Sequence, residues 1–229
     1  GIYQITGFRG TARVASLQLG GDVGSVARMI DDPTSLVGSS KGVFDLDSAT
    51  LGEDGSFEIL LSPERPSGYE GDWWKLEPGV TAVIARQRHY DWVNEIDGRF
   101  AIQRLDVPAA RPRRSARDID EALGKISKYI EAYGTVSFDG PPTRHLRAAP
   151  PNSLTCKDYS NYGGLANQAF VEGMFELADD EALIILSDVP ERCAYWGFHL
   201  TDEFWQSIDW IKRHYSQNGH TARIDSDGK

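Results

Sequence analysis

Cationic, aromatic and acidic side chains follow one another in the segment RQRHYDWVNE, residues 86–95. The residues in it that could bind or convert a ligand are Arg86, Arg88, Tyr90, Asp91, Trp92 and Glu95. Two nearby carboxylates can act as general acid and base, so Asp91 and Glu95 are the candidate catalytic residues. Arginine binds a carboxylate or phosphate through two parallel hydrogen bonds, which makes Arg86 and Arg88 candidate anchors for an anionic or hydroxylated ligand.

Aromatic rings could form the wall of the same site. Tyr90, Trp92 and Trp73 are the candidate stacking residues, and an apolar ring beside a carboxylate can raise its pKa toward the working pH. A structural interpretation is also open, and for this cluster taken by itself the sequence favours it. In it, arginine–carboxylate pairs hold two strands together and the aromatic rings fill the core.

The elements that must position these residues are strands. Residues 80–88 alternate so that Arg86 and Arg88 project from one face. The dipeptide Asp97-Gly98 is typical of a tight hairpin turn and predicts that a second strand, 99–105, returns beside the first. Such a hairpin would also place Arg104 next to the candidate site.

The remaining pattern predicts an α+β, mainly β fold, with antiparallel sandwich or jelly-roll-like sheets and one or two packed helices. Further strands are expected at 3–8, 11–19, 57–61, 182–186 and 195–200. We divide the chain into a β-rich half at 1–107, a linker with helices and a wrapping loop at 108–180, and a second β-rich half at 181–229. These parts are expected to form one compact unit.

The strongest helix prediction covers residues 115–134. Ser115 and Asp118 form a capping-box-like start, and Gly134 is the expected stop. Apolar residues recur in it every three or four positions and give one apolar stripe, namely Ile119, Leu123, Ile126, Ile130 and Tyr133. The proline-rich segment 139–159 is expected to be a loop, and residues 161–177 a weaker helix.

Composition restricts the partners. The net charge of −10 and a pI near 5.0 argue against a general nucleic-acid binder, and no apolar run is long enough to span a bilayer. A small molecule or glycan is the expected ligand. The acidic surface and exposed strand edges are compatible with a homodimer. Both chain ends read as cuts through a larger protein; the compartment is open, with the cytoplasm favoured.

A second polar cluster lies near the end of the chain. His199 with Asp202 or Glu203 and His214 or His220 could supply nitrogen and oxygen ligands to a divalent metal. No spacing among them matches a zinc or iron motif, so we assign no metal ligands and expect no organic cofactor. Solvated histidines are the favoured interpretation, and a divalent metal stays open.

Several segments resemble the domain of unknown function 1214, a bacterial and viral family often fused to the domain of unknown function 1254. The resemblance begins in YQITGFRG at 3–10, continues in DGSFEI at 54–59 and is strongest over 73–95. The chain departs from the family pattern at Gln217, where the family usually has leucine. The resemblance implies a mostly β fold with added helices and no established activity.

Two functions are compatible with these residues. The first is an enzyme without an organic cofactor, a hydrolase or lyase, that uses Asp91 and Glu95 as acid and base on a small polar or glycan-like substrate. The second is a non-catalytic carbohydrate- or lipid-binding module of a larger protein. The sequence favours the enzyme by a small margin, because both arginines and both acids fall within one predicted hairpin.

Overall fold

The computed structural model describes residues 1–21, 39–108, 113–160, 164–165 and 167–228. These residues form two compact units, one made of 1–21 and 39–120 and the other beginning at 121. The first unit therefore extends beyond residue 107, where the sequence-based division ended the first β-rich half. Residues 109–112 of the predicted linker lie outside the described residues.

Seven strands build the described part of the first unit. They are β1 (Tyr3–Phe8), β2 (Val14–Gly21), β3 (Ser39–Asp45), β4 (Ser56–Ser62), β5 (Asp72–Lys75), β6 (Val80–Arg88) and β7 (Arg99–Arg104). One sheet has the strand order β5-β4-β1-β7 and the other the order β3-β2-β6. The pairings are antiparallel except for β4 with β5, which run parallel.

The two sheets enclose a common apolar core. Every second residue of β2 points to one side, and the three that face the core, Ala15, Leu17 and Leu19, are at most 2% exposed. They belong to the same cluster as Ile5 of β1 and Ile59 of β4, which come from the other sheet. Face-to-face packing through alternate apolar residues is the arrangement of a sandwich, so the predicted α+β, mainly β class is confirmed.

The predicted hairpin between residues 80–88 and 99–105 is wrong. β6 pairs with β2, whereas β7 pairs with β1 in the other sheet. The cause is a set of contacts just before the expected turn: Thr11 N–H donates to the Ile96 carbonyl at 2.8 Å, and Ile96 N–H donates to Thr11 Oγ1 at 2.7 Å. These bonds hold the chain at the β1–β2 connection, so Asp97 and Gly98 direct it onto β1.

Gln87 closes this crossing from the β6 side. Its Oε1 accepts a hydrogen bond from Gly98 N–H at 2.6 Å, the main-chain group that a paired strand would otherwise have engaged. Gly10 lies against the same segment with φ +70°, and a Cβ there would overlap the Ile96 carbonyl oxygen and the Gly98 nitrogen. The change of sheet therefore depends on two residues. Gln87 accepts the Gly98 N–H, and Gly10 allows the backbone of the 96–98 segment to come close to the β1–β2 connection.

The second unit holds most of the helical residues. The α-helices among the described residues are α1 (Ala116–Gly124), which begins in the first unit, α2 (Ile126–Asp139) and α3 (Pro141–Ala148). Two short antiparallel pairs accompany them, β8 (Thr155–Lys157) with β9 (Phe170–Glu172) and β10 (Gly197–His199) with β11 (Ser216–Asn218). The predicted strand at 195–200 thus exists in shortened form, whereas residues 182–186 form no strand.

The prediction of a helix over residues 115–134 is confirmed at its start and wrong at its end. Ser115 N–H donates to Asp118 Oδ2 at 2.9 Å and Asp118 N–H donates to Ser115 Oγ at 3.1 Å, so the predicted cap is confirmed. Gly134 does not stop the helix, which continues to Asp139 after a break at Lys125. α2 packs against α3, and Ala132 of α2 is completely buried. Tertiary packing of this kind outweighs the modest cost of a helical glycine.

The segment 139–159, expected to be a loop, contains α3. Pro141 and Pro142 occupy the first helical positions, where proline is tolerated because those N–H groups have no intrahelical acceptor. Within the described part of 161–177 there is a strand, β9, and no helix; residues 161–163 and 166 lie outside it. Among the described residues no helix has the length and apolar character needed to cross a bilayer.

Gly10→Ala tests the crossing. We expect a loss of about 3 kcal/mol or more in the free energy of unfolding, because left-handed strain adds to overlap with the backbone of the 96–98 segment. Gly79→Ala is the matched control: its φ is +79°, but a Cβ there meets no atom within 4 Å. It should cost only the strain, about 1–2 kcal/mol. Equal losses in urea denaturation would contradict the proposed role of the close approach.

Candidate functional site

The candidate residues lie at the end of β6 and in the segment that follows it. The register pairs Ser16 with Arg86 and Val14 with Arg88. Directly opposed residues of antiparallel strands share a face, so both arginines project from the side of the three-stranded sheet opposite to Leu17. We call this side the outer face. The predicted placement of Arg86 and Arg88 on one face is confirmed.

Gln18 is the partner of Arg86 on the outer face. Arg86 Nε and Nη2 both donate to Gln18 Oε1, at 2.9 and 2.7 Å. Gln18 is only 1% exposed, and the guanidinium is half-buried. Burial, together with the positive charge of Arg88, lowers the pKa of Arg86 from its ordinary value. Among the described residues no carboxylate forms an ion pair with Arg86.

The two candidate catalytic carboxylates stabilise a turn. Asp91 Oδ1 accepts hydrogen bonds from the N–H groups of Val93 and Asn94 at 3.0 and 3.2 Å. Its own carbonyl accepts from Glu95 N–H at 2.9 Å. This is how an acidic residue caps the first turn of a helix, and it fixes the carboxylate against its own main chain.

Glu95 completes the turn from the other end. Its carboxylate accepts hydrogen bonds from the N–H groups of Tyr90 and Asp91 at 3.2–3.3 Å, and from Arg13 N–H at 3.2 Å. Arg13 immediately precedes β2, so Glu95 joins the turn to the neighbouring strand. The structure brings Asp91 and Glu95 together as predicted, but through main-chain contacts that point to a structural role.

The aromatic residues of this segment have different environments. Trp92 is 74% exposed, and its ring lies against His89 with ring centres 4.8 Å apart. His89 is 4% exposed, and its Nε2 lies 3.0 Å from Asp97 Oδ1. Tyr90 is half-buried beneath Arg13, whose guanidinium carbon is 5.7 Å from the ring centre. Of the aromatic rings in this segment, Trp92 is therefore the most exposed, and it packs against the buried imidazole of His89.

Two predicted neighbours lie elsewhere. Trp73 belongs to β5 of the four-stranded sheet, where its Nε1 donates to Ser62 Oγ at 2.9 Å. Arg104 ends β7 of the same sheet and pairs with Asp106 at 2.7 Å. Hydrogen bonding to Arg104 lowers the pKa of Asp106 to about 2. Because the hairpin does not form, Arg104 does not join β6, and Trp73 stands on a different sheet from the arginines.

The polar groups of the second cluster form local contacts with one another and with the main chain. Among the described residues no group of three or more histidine, cysteine or acidic side chains is placed to hold an ion. His199 Nε2 is 2.9 Å from Ser207 Oγ, and Asp202 Oδ1 accepts from the N–H groups of Phe204 and Gln206 at 2.9 Å. These polar groups stabilise local turns. The prediction that the protein has no organic cofactor stays untested.

A cleft of about 310 Å³ opens beside this cluster. It is lined by Leu200, Ile208, Asp209, Arg213, His214 and Tyr215. The Arg213 side chain is 79% exposed, so the cleft lacks the desolvation that strengthens a charged contact. Arg86 is half-buried and held by the buried amide of Gln18, so it is better suited than Arg213 to bind an anion.

Sequence reasoning missed Gln18 and His89 as members of the site. The sequence did contain the information that places Gln18 on the outer face. Val14, Ser16 and Gln18 alternate with the apolar residues of β2 and must therefore share the face opposite to the core. The pairing of Gln18 with Arg86 needs the β2–β6 register, which links residues 68 positions apart. Local periodicity carries no information on such pairings.

Glu95→Ala tests the structural role of this carboxylate. Three N–H groups would lose a charged acceptor, so we expect the free energy of unfolding to fall by about 1–3 kcal/mol. Glu95→Gln keeps one acceptor oxygen and should cost less than half as much. Glu77→Ala is the control, because Glu77 pairs with Lys75 on the surface at 2.9 Å; it should change stability by less than about 1 kcal/mol. Chemical denaturation that shows Glu95→Ala as mild as Glu77→Ala would refute this role.

Comparison with known proteins supports the fold alone. No family model matches the chain, so its resemblance to the domain of unknown function 1214 stays a prediction. No curated protein matches it either. A crystal structure of an uncharacterised protein from Burkholderia cenocepacia is similar over 99% of this chain, with 24% sequence identity and a TM-score of 0.81. The chain spans 60% of that protein's length. At this identity the similarity concerns the architecture.

Proposed function

We propose that the first unit is a non-catalytic binding module for a small molecule that carries a carboxylate, with an acidic sugar as the best-fitting class. The observation that carries the proposal is the state of Arg86. Its guanidinium is half-buried and bonded to the neutral amide oxygen of Gln18, and no carboxylate among the described residues pairs with it. A charge in that situation gains most from an external anion.

The geometry of the guanidinium suits a carboxylate. Gln18 engages Nε and one hydrogen of Nη2, so the edge formed by Nη1 and Nη2 faces away from that oxygen. Two parallel N–H donors on this edge match the two oxygens of a carboxylate. Gln18 thus holds the fork in one orientation before the ligand arrives, which reduces the entropy lost on binding.

Electrostatics favours an anion at the same place. Arg88 lies two residues along the strand on the same face, and its charge contributes to the lowered pKa of Arg86. Burial and a like charge both disfavour the charged guanidinium. A bound anion would offset both effects at once. The attraction is local to the two arginines, because the overall charge of −10 repels anions.

Trp92 supports a ring-bearing ligand. An indole that is 74% exposed and lies against the buried His89 presents apolar ring surface to solvent. Such a face stacks on the apolar side of a sugar ring, while a polar anchor sets the position. We therefore assign Trp92 the stacking role and Arg86 the anchoring role.

The acid–base enzyme is the weaker candidate. Asp91 and Glu95 each accept main-chain hydrogen bonds that hold the 90–95 turn. A proton-transfer role would require either carboxylate to exchange these partners for substrate and to loosen the turn. Binding at Arg86 requires no such rearrangement.

Titration of the protein with D-glucuronate and with D-glucose, followed by NMR chemical shifts, tests the proposal. We expect glucuronate to shift the Trp92 indole N–H and glucose to shift it far less, since only the acid has the carboxylate that the guanidinium fork binds. Arg86→Lys keeps one donor for Gln18 but loses the fork, so affinity should fall about tenfold, or about 1.4 kcal/mol. Arg104→Lys, on the other sheet, is the control and should bind as the wild type does.

Three results would contradict the binding module. They are equal shifts with glucuronate and glucose, equal affinity of Arg86→Lys and wild type, and no shift with glucuronate up to about 100 mM, where even a very weak carboxylate contact would be visible. Turnover of a glycoside that is lost in Asp91→Asn and Glu95→Gln would restore the enzyme interpretation instead.

A further inference from the structure

The cleft of about 310 Å³ beside the second polar cluster is bounded by two elements that main-chain hydrogen bonds hold in place. One is the end of the β10–β11 pair, where Leu200 N–H donates to the Tyr215 carbonyl at 2.7 Å. The other is a turn in which the N–H groups of Lys212 and Arg213 both donate to the Asp209 carbonyl at 3.0 Å. The walls are therefore formed before any ligand binds, as is usual for small-molecule sites.

Asp209 and Arg213 present opposite charges to this cleft. Asp209 has φ +36°, in the left-handed region that aspartate adopts more readily than most residues. The turn brings Arg213 Nε to 3.6 Å from Asp209 Oδ2, which is too long for a hydrogen bond. Within the part of the chain that the structure describes, neither side chain has a hydrogen-bond partner. Both can therefore bond to a ligand without giving up an existing contact.

Apolar side chains provide the rest of the lining. Leu200 and Ile208 are 43% and 37% exposed. Tyr215 is half-buried, and its ring meets His199 edge-to-face with ring centres 4.9 Å apart. His199 Nε2 in turn lies 2.9 Å from Ser207 Oγ. The apolar part of a ligand would cover Leu200 and Ile208 and remove them from water.

A ligand with adjacent positive and negative groups and an apolar body matches this lining. A free α-amino acid carries its ammonium and carboxylate groups on one carbon atom, so the two can meet Asp209 and Arg213 at the same time. A simple anion would be repelled by Asp209 and a simple cation by Arg213. A zwitterion is also neutral overall, so the protein charge of −10 does not repel it.

The two charges orient such a ligand more than they hold it. The Arg213 side chain is 79% exposed, and an ion pair in water contributes little. Most of the affinity must then come from burial of the ligand's own side chain. We therefore expect a large aliphatic amino acid to bind in the millimolar range and glycine to bind much more weakly.

We propose that this cleft binds a free amino acid that has a large apolar side chain. Arg213 binds its carboxylate, Asp209 binds its ammonium group, and Leu200 and Ile208 contact its side chain. The proposal does not depend on the ligand proposed for Arg86, because the two sites share no residue.

An NMR titration of the protein with L-leucine tests this site. We expect chemical shifts that saturate with a Kd in the millimolar range. N-acetyl-L-leucine lacks the ammonium group and L-leucinamide lacks the carboxylate, so each should bind at least about threefold more weakly. Glycine, which has no apolar side chain, should give no saturable shift.

Variants of the two charged residues locate the site. Arg213→Ala and Asp209→Asn should each weaken L-leucine binding at least about threefold, and asparagine is suited to the left-handed backbone of position 209. Lys212→Ala is the matched control. Lys212 is a cation of the same turn but does not line the cleft, so its removal should leave the affinity unchanged.

The absence of a saturable shift with L-leucine up to about 50 mM would overturn the proposal. Equal affinities for L-leucine, its amide and its N-acetyl derivative would overturn it as well, because they would show that the two charges do not select the ligand. The same holds for equal effects of Arg213→Ala and Lys212→Ala.

Discussion

Burial of both faces of β2 is the constraint on which the rest of the first unit depends. Its inner residues, Leu17 among them, join the apolar core between the sheets, and its outer residues Ser16 and Gln18 are buried as well. A buried amide left without hydrogen bonds would cost about 1–3 kcal/mol, so Gln18 requires a donor from the strand beside it. Arg86 of β6 is that donor, and the same hydrogen bonds orient the guanidinium that we assign to ligand binding.

The crossing between the sheets determines what else can join this site. After β6 the chain forms a turn held by Asp91 and Glu95, is fixed to the β1–β2 connection at Thr11, and then enters the other sheet as β7. This path places Trp92 close to the arginines along the chain and carries Arg104 away. The carboxylates that looked most suited to catalysis stabilise the turn, and our proposed ligand-binding role therefore rests on Arg86.

The sequence alone determined the class of the fold, the strands β1, β2, β4, β6 and β7, the cap at Ser115 and the shared face of Arg86 and Arg88. These features follow from local periodicity and from side-chain hydrogen bonds over three residues. Only the tertiary structure decided that β7 leaves β6, that Gln18 meets Arg86, that Gly134 lies within a helix and that 139–159 contains α3. Each depends on contacts between residues distant in sequence, or on packing that outweighs local propensity, and neither is encoded in a short window of the chain.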